Sequence, residues 1–292
     1  SEYEVKLRGY PSEEVIRFDI VEKKEQDLRV YNNLLLENVI KECDFVHFLA
    51  FDIGGSVYME KYQDTFGFID NNIKIMDRVF SLLKKYNKPF IFASSQMSNM
   101  SYSTYGILKA IGEKYTKSLK GLVVKFWNVY GYEKDEEKSH VITDFIKMAQ
   151  LGKIKMRTTG TELRQFLYGD DCADCLFKLS KYYNEVDRDE ELHITNFKWT
   201  SIQDIATIIQ EEINCKIIPG IKEDNVQKGK INEPNNYIYK YWKPKTTIKN
   251  GIKEIIKLIK NYLGSVAPRS IPPPSISLPA DSKFLGGFEL FL

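Results

Sequence analysis

Residues 88–95 read KPFIFASS and residues 104–119 read TYGILKAIGEKYTKSL, and this pair decides the fold. The first segment is an apolar run that ends in two serines, a pattern typical of a buried strand. The second carries apolar residues at helical spacing and ends near lysines, which the negative end of a helix dipole favours. A buried strand followed by an amphipathic helix is the repeating unit of a parallel sheet with helices on its faces.

The same alternation continues on both sides of this pair. Apolar runs predict three further strands, at residues 13–20, 44–51 and 121–129. Amphipathic stretches predict two further helices, at residues 34–42 and 71–86. We therefore predict an α/β fold with a Rossmann-type, doubly wound parallel sheet.

The regular alternation stops after Gly131, where EKDEEK at residues 133–138 predicts a solvated, charged loop. The stretch beyond it is richer in helices and predicts a smaller α/β C-terminal domain that binds the substrate. The first domain is assigned residues 1–131 and about 165–197, and the second domain residues 132–164 and 198–264.

Both ends of the chain depart from a complete domain of this type. The prolines of residues 265–292 oppose regular helix and central strand, so this stretch is predicted to be a proline-rich tail. A glycine-rich phosphate loop should follow the first strand, yet the N-terminal sequence lacks one. ISLPADSKFLGGFELFL at residues 276–292 resembles a degraded strand, glycine loop and helix start. The first strand and loop are thus missing or displaced to the C-terminus; a permuted, a truncated and a reordered chain all fit this pattern.

The charge balance and the cysteine content argue against several classes of protein. The 42 basic and 40 acidic side chains leave a net charge of +2, so we expect neither nucleic acid nor a membrane as a partner. The four cysteines are too few and too scattered for a disulfide scaffold, which favours the reducing cytoplasm. Cys172 and Cys175 form a CxxC without a second ligand pair nearby, so no metal site is predicted.

Tyr105 and Lys109 carry the chemical signal of the sequence. Their spacing of four residues puts the phenol and the ammonium on one helical face, where the lysine lowers the pKa of the phenol and binds a dinucleotide ribose. Ser95, at the end of the preceding strand, places a hydroxyl near the same substrate oxygen. Such a set removes a hydroxyl proton while hydride leaves for nicotinamide. The spacing alone is common by chance, but here it follows a strand that ends in Ser-Ser.

Five segments appear in the order of the signatures of one family: FASS, YGILK, KFWNVYG, LRQFLYGDDCAD and YWKPKTTIKNGIKEII. From about residue 13 to residue 264 the sequence resembles the extended short-chain dehydrogenase/reductases, in their nucleotide-sugar epimerase/dehydratase branch. LAFDIGGSVYMEKYQDTFGFIDNN at residues 49–72 also resembles the GDP-mannose 3,5-epimerases, which favours a GDP-sugar. The resemblance implies that the first domain binds the dinucleotide NAD and the second the nucleotide sugar.

The resemblance also implies three groups of site residues. The catalytic residues are Ser95, Tyr105 and Lys109, as hydroxyl donor, acid/base and ribose partner of the base. A carboxylate at Asp19 would bind the adenosine ribose and repel a 2′-phosphate, which favours NAD over NADP. The cofactor-binding residues are Asp19, Asp27, Leu28, Leu49, Ala50, Phe51, Asn72, Ser94, Tyr105, Lys109 and Phe126. The substrate-binding residues are Gln96, Asn128 and Arg164; Lys155 and Arg157 add charge only if they are not ordinary surface cations.

Gln96 and Met97 depart from the pattern of the family and bear on the reaction. The dehydratases that the sequence resembles have an Asp-Glu pair at these positions, and the 3,5-epimerases have a cysteine at the second. Neither glutamine nor methionine titrates, so dehydration is not expected. We predict NAD-dependent oxidation at C-4 of a GDP-hexose or GDP-heptose in surface polysaccharide biosynthesis. The alternatives are a nucleotide-sugar 4-epimerase and, from another class, a catalytically silent dinucleotide-sensing regulator.

A homodimer is predicted from the helices at residues 71–86 and 104–119, which would lie side by side on one face of the sheet. Ile73, Met76, Val79 and Phe80 give the first of these helices an apolar stripe, although much of it can face the sheet instead. The resemblance implies a four-helix interface at this face.

Overall fold

Strands and helices alternate along the chain. The computed structural model describes residues 15–20, 23–133, 135–223, 232–265 and 289–291. Its strands are β1 (Arg17–Asp19), β2 (Val46–Phe48), β3 (Phe90–Ser95), β4 (Leu122–Phe126), β5 (Asn128–Tyr130), β6 (Lys153–Lys155), β7 (Leu163–Tyr168), β8 (Leu192–Ile194), β9 (Trp199–Ser201), β10 (Lys216–Ile218) and β11 (Glu289–Phe291). Its α-helices are α1 (Leu34–Glu42), α2 (Ser56–Tyr62), α3 (Phe66–Tyr86), α4 (Thr104–Ser118), α5 (Val141–Gln150), α6 (Gly169–Lys181), α7 (Ile202–Glu212) and α8 (Ile248–Ser265). None of the helices in this described part has the length and apolar composition needed to cross a bilayer.

The main sheet has six strands in the order β1, β11, β2, β3, β4, β8. Strands β2, β3, β4 and β8 pair in parallel. Phe90 and Phe92 of β3 pack in one apolar cluster with α1, α3 and α4, whereas Ile91 packs in another with α6. Because both faces are covered, the strands are apolar without alternation. The predicted Rossmann-type α/β fold is confirmed.

Strand β11 comes from the stretch for which the sequence predicts a tail. It lies between β1 and β2 and is antiparallel to both, with Glu289 opposite Asp19 and Phe291 opposite His47. In a doubly wound sheet this place, next to the point where the strand order reverses, belongs to the first strand. The sheet is therefore mixed rather than wholly parallel. Residues 1–14 and 266–288, which include the predicted glycine loop, lie outside the described residues, and the domain boundaries stay a prediction.

A second layered region adjoins the carboxyl edge of the main sheet. Strands β5, β7 and β9 form one small sheet, and β6 and β10 form another. Helices α5, α7 and α8 pack around a separate apolar cluster that includes Phe145, Phe166 and Ile205. Helix α7 begins with a capping box in which Ser201 and Asp204 each accept a backbone hydrogen bond from the other. This region forms the second wall of the site described below.

The charged stretch at residues 133–138 is not the solvated loop that the sequence predicts. Glu133 and Lys138 are only 2% and 8% exposed, whereas Glu136 and Glu137 between them lie in solvent. Glu133 is paired with His140, and Lys138 is paired with Asp52. Charged side chains are tolerated in the interior when they are paired in this way. The prediction is wrong at both ends because these partners are not evident in the local sequence.

Helix α4 approaches the carboxyl end of β3 unusually closely, and glycine permits it. A Cβ on Gly106 would lie 2.2 Å from the carbonyl oxygen of Met97 and 3.0 Å from that of Met100. Both oxygens belong to rigid backbone at the short turn after β3, so any side chain would push the helix away. The Ser103 hydroxyl caps the helix by accepting a hydrogen bond from the Gly106 amide at 3.1 Å. The first turn of α4 therefore fixes both where the helix begins and how closely it packs against the end of β3.

Gly106→Ala is expected to lower the free energy of unfolding by about 1–3 kcal/mol, because the added methyl overpacks a site closed by backbone. Gly67→Ala in α3 is the matched control: a Cβ there meets nothing within 4 Å, so the better helix former should stabilise by roughly 0.5–1 kcal/mol. Urea unfolding of both variants measures the two changes. A Gly106→Ala variant as stable as the original chain would contradict the close approach.

Candidate active site

Tyr105 and Ser95 meet in a cavity of about 250 Å³ at the carboxyl ends of β3 and β4. Both are nearly buried, at 5% and 7% exposed. Burial raises the pKa of Tyr105 above its usual value of 10, and a hydrogen bond with Ser95 partly offsets that rise. The Ser95 hydroxyl also accepts the amide of Met97 at 3.1 Å, which orients it. The phenol is neutral in this state and is held beside a second hydroxyl.

Lys109 lies one helical turn beyond Tyr105 and lines the same cavity. Its ammonium donates to the carbonyl of Ala93 at 2.6 Å and lies 3.7 Å from the centroid of the Phe51 ring. Burial lowers the pKa of Lys109 to about 7, against the pull of Glu113, which acts to raise it. The structure therefore keeps an ionisable cation at the cavity wall, where its charge is worth more than in water.

A chain of polar groups lies beneath the cavity. The Ser94 hydroxyl donates to Glu113 at 2.5 Å, Glu113 lies 3.8 Å from Lys125, and Lys125 pairs with Glu191 at 2.5 Å. Lys125 is 2% exposed, so its charge needs these partners. The hydroxyl of Ser94, predicted to bind the cofactor, is engaged in this chain although the residue lines the cavity.

The structure brings ten of the predicted site residues to this one cavity: Leu49, Phe51, Ser94, Ser95, Gln96, Tyr105, Lys109, Phe126, Asn128 and Arg164. The Gln96 side-chain oxygen already accepts a hydrogen bond from Asn232 at 3.0 Å. Asn128 donates to the carbonyl of Gln165 at 3.0 Å. These bonds hold two of the predicted substrate ligands in place.

Five predicted cofactor ligands do not line that cavity. Leu28 and Ala50 are buried in the apolar core. The Asn72 amide exchanges hydrogen bonds with the backbone of Asp52, at 2.6 and 3.2 Å, so its side chain braces a loop. Asp27 forms an ion pair with Arg29 at 2.8 Å, and Asp19 ends β1 at 5% exposed. Their roles in cofactor binding stay predictions.

A second cavity, of about 180 Å³, adjoins the first, with Asn128 and Arg164 in both walls. Lys155, Arg157 and Lys222 also line it. The sequence favoured Lys155 and Arg157 as surface cations, yet both lie at this cavity, and Arg157 pairs with Glu60 of α2 across it. Four carboxylates of the described residues line it as well, those of Glu60, Asp144, Glu162 and Glu223, so its wall is of mixed charge. The guanidinium of Arg164, where the two cavities join, suits an anionic group such as a diphosphate.

His140 is the site residue that the sequence analysis missed. It precedes α5 and lines both cavities. Its ring nitrogen Nδ1 lies 2.5 Å from a Glu133 carboxylate oxygen, and its amide donates to the other oxygen at 2.7 Å. Burial alone would lower the pKa of His140, but the charge and hydrogen bonds of Glu133 hold it above 6.5. A histidine at a helix start just after the KFWNVYG segment was the available signal.

Within the described residues, no group of three or more His, Cys, Asp or Glu side chains is placed to hold a metal ion. The four cysteines are free and buried, and burial raises the pKa of Cys172 to about 12.

Comparison with known proteins yields consistent matches. Residues 12–195 match the NAD dependent epimerase/dehydratase family. A provisionally named UDP-glucose 4-epimerase of Methanocaldococcus jannaschii is 29% identical over 171 residues, 54% of this chain and 54% of that protein. A GDP-L-fucose synthase of Sinorhizobium fredii is 29% identical over 151 residues, 48% of this chain and 46% of that protein.

Among solved structures, a GDP-6-OMe-4-keto-L-xylo-heptose reductase of C. jejuni is similar with a TM-score of 0.71. That likeness covers 82% of this chain and 89% of the other at 17% identity, which shows the fold alone. The chain spans about half the length of the curated relatives it matches.

Lys109→Met is expected to stabilise the fold while removing the cation of the site. Below pH 7 Lys109 is charged in both states, but the charge is buried in the folded chain and solvated in the unfolded chain. Between pH 7 and pH 10.5 the unfolded chain binds more protons than the folded chain. The stability of the original chain should therefore rise with pH through that window. The advantage of the variant, roughly 1–4 kcal/mol at low pH, should shrink toward the upper end.

Urea unfolding across this pH window measures the difference between Lys109→Met and the original chain. Lys114→Met is the control, since Lys114 lies exposed on the same helix and should show no such trend. An advantage for Lys109→Met that does not change with pH would contradict a depressed pKa for Lys109.

Proposed function

Since the chain belongs to the NAD dependent epimerase/dehydratase family, we propose that it uses NAD to oxidise the C-4 carbinol of a nucleotide-activated sugar. The observation that carries this is the buried Tyr105, hydrogen-bonded to Ser95, with Lys109 in the same cavity. The adjoining cavity, with Arg164 and Asn128 in its wall, supplies a place for the diphosphate. Together, the two cavities support a reaction at a sugar hydroxyl that lies close to the diphosphate.

The described residues fit the nicotinamide half of the cofactor. Lys109 is a buried ammonium at the cavity wall with one hydrogen bond to Ala93, so it has donors for ribose hydroxyls. Leu49, Phe51 and Phe126 give that cavity apolar walls. When bound there, the nicotinamide accepts the hydride that C-4 loses.

The residues of the chain then have separate roles. Ser95 donates a hydrogen bond to the sugar hydroxyl and orients it toward Tyr105. Tyr105 takes the hydroxyl proton as a general base, and Lys109 in its charged form lowers the pKa of that phenol. Ser95, Tyr105 and Lys109 are buried, and the weaker screening of charge there strengthens each of these interactions. Gln96 and Met97, which also line the cavity, hold no titratable group that could serve dehydration.

The proposed substrate is a GDP-hexose or a GDP-heptose, used in surface polysaccharide biosynthesis. Arg164 and Asn128 lie where the two cavities join and would hold the diphosphate, with Lys155 and Arg157 beside them. Burial lowers the pKa of Arg164, although the guanidinium remains charged at any physiological pH. Residues 49–72 resemble the GDP-mannose 3,5-epimerases, and the Sinorhizobium relative is named a GDP-L-fucose synthase, so both favour guanine as the base of the nucleotide. The name of the Methanocaldococcus relative, a UDP-glucose 4-epimerase, favours uracil.

A second candidate is an epimerase that acts at C-3 or C-5, the carbons next to C-4, and His140 favours it. An imidazole at the wall of both cavities can move a proton on a carbon next to a C-4 ketone, which Gln96 and Met97 cannot. Turnover in D₂O separates the two: simple oxidation or a C-4 epimerisation leaves the ring carbons free of solvent deuterium. Deuterium at C-3 or C-5, lost in His140→Asn, would favour this candidate. A catalytically silent regulator would bind NAD and show no turnover in either solvent.

We also propose a homodimer formed by α3 and α4. Ile73, Ile107, Ile111 and Tyr115 are 41–48% exposed on these helices. Met76, Val79 and Phe80 of the predicted stripe are instead buried in the core of their own chain. Light scattering should give twice the 34.0 kDa of one chain, and Ile111→Glu should restore the single-chain mass.

The four buried, free cysteines support a cytoplasmic location.

Tyr105→Phe is expected to slow oxidation of the sugar by roughly two to four orders of magnitude, because the ring stays while the proton acceptor is lost. Binding of NAD and of the sugar should change far less. Stopped-flow absorbance of reduced nicotinamide measures the rate, and mass spectrometry of the sugar identifies the product.

Tyr115→Phe is the control for that variant, since its phenol lies on the same helix outside the cavity. Its rate should equal that of the original chain. Unaltered oxidation in Tyr105→Phe would overturn the assignment of the base, and a product lighter by one water would overturn the argument from Gln96 and Met97.

A further inference from the structure

The segment at residues 135–140 contributes residues to the walls of both cavities. Ser139 lines the second cavity, and His140 lines both. This segment belongs to neither helix nor strand, so hydrogen bonds of regular structure do not hold it. Local hydrogen bonds to Asp135 and Glu133 shape it, and contacts with other parts of the fold fix where it lies.

Lys138 makes the central contact of that segment. Its ammonium lies 2.7 Å from Oδ1 of Asp52, and the two side chains are only 9% and 6% exposed. It also lies 4.7 Å from the centroid of the Tyr58 ring. The ion pair joins residues 86 positions apart in the chain. A buried pair of this kind is strongly distance-dependent, because the interior screens charge weakly.

Asp52 is itself held on every side. Its Oδ1 accepts the Tyr58 hydroxyl at 2.7 Å, and its Oδ2 accepts the Asn71 amide at 3.0 Å. Asn72 brackets its backbone with two hydrogen bonds. Burial and the Asp52 charge raise the pKa of Tyr58 above its usual value, so the phenol remains a donor. The carboxylate is therefore a fixed anchor for Lys138.

A backbone contact reinforces the ion pair. The Gly55 amide donates to the carbonyl of Lys138 at 2.9 Å. A Cβ on Gly55 would lie 2.1 Å from the carbonyl oxygen of Ser139, so the two loops touch with no spare room. Residues on both sides of this contact, among them Phe51 and His140, line the first cavity from opposite loops. The distance between these loops sets the width of the cavity.

We propose that Asp52 and Lys138 are positioning residues for the nucleotide sugar: their ion pair sets the spacing of the two loops that enclose the sugar. The inference deepens the proposed function and rests on it. A buried ion pair adds little net stability compared with apolar residues of similar size. The effect of this pair is thus on the geometry of the site, and it should appear in the binding of sugar rather than in the chemical step.

The test uses the full chain with both charges removed together, as Asp52→Asn with Lys138→Met, since a single change would leave one buried charge unpaired. With GDP-mannose and UDP-glucose as probes, KM and the calorimetric Kd should rise by roughly tenfold, while kcat changes far less. Lys138→Arg keeps the positive charge, so this variant should bind the sugar with most of the affinity of the original chain. Lys147→Met is the matched control: it breaks the exposed pair of Lys147 with Glu136 near the same segment and should change neither value.

An unchanged KM and Kd in a folded double variant would overturn the inference, and so would a loss confined to kcat. If the double variant does not fold, Asp52→Asn with Lys138→Gln, a second variant that removes both charges, decides: sugar affinity equal to that of the original chain would overturn the inference, whereas a loss of affinity supports it. Failure of the proposed function is recognised separately, because the original chain would then neither bind nor convert either probe.

Discussion

The contact between α4 and the carboxyl end of β3 is the constraint on which the site depends. With the Gly106 Cα against the backbone of Met97, the first turn of the helix is pressed onto the turn that follows the strand. Tyr105, the residue before that glycine, is thereby held beside Ser95, the last residue of β3. Lys109 follows on the same helical face one turn later. A shift of the helix by the width of one side chain would carry Tyr105 and Lys109 together away from Ser95.

Around that contact the fold places ionisable groups in two contrasting environments. Tyr105 and Lys109 are buried, so their neutral forms are favoured and the pKa of the lysine falls to about 7. The cations of the adjoining cavity keep more of their solvent, with the Arg157 side chain 41% exposed. The first environment suits proton transfer, and the second suits an anion that arrives with its own water. The different degrees of burial therefore suit the two cavities to different roles.

The local pattern of the sequence was enough to predict β1 to β4, α1, α3 and α4, and to place Ser95, Tyr105 and Lys109 near one another, because each of these depends on residues close together in the chain. It could not find the pairs Asp52 with Lys138 or Glu113 with Lys125, whose members look like solvated surface charges until the fold brings them together. The EKDEEK stretch illustrates this, since its Lys138 is buried against Asp52, 86 positions away in the chain. Likewise the pairing of β11, antiparallel within the main sheet, is a long-range contact with no local signature.

The central claim is that this cavity removes hydride from C-4 of a nucleotide-activated sugar. It is tested most directly by mixing the purified chain and NAD with a GDP-hexose that carries deuterium at C-4, and then isolating both the cofactor and the sugar. Deuterium is expected on the nicotinamide ring where the keto sugar is the product, and back at C-4 of the sugar where the C-4 epimer is the product. A keto sugar with an unlabelled cofactor, or an epimer that has lost its deuterium, would contradict hydride removal from C-4.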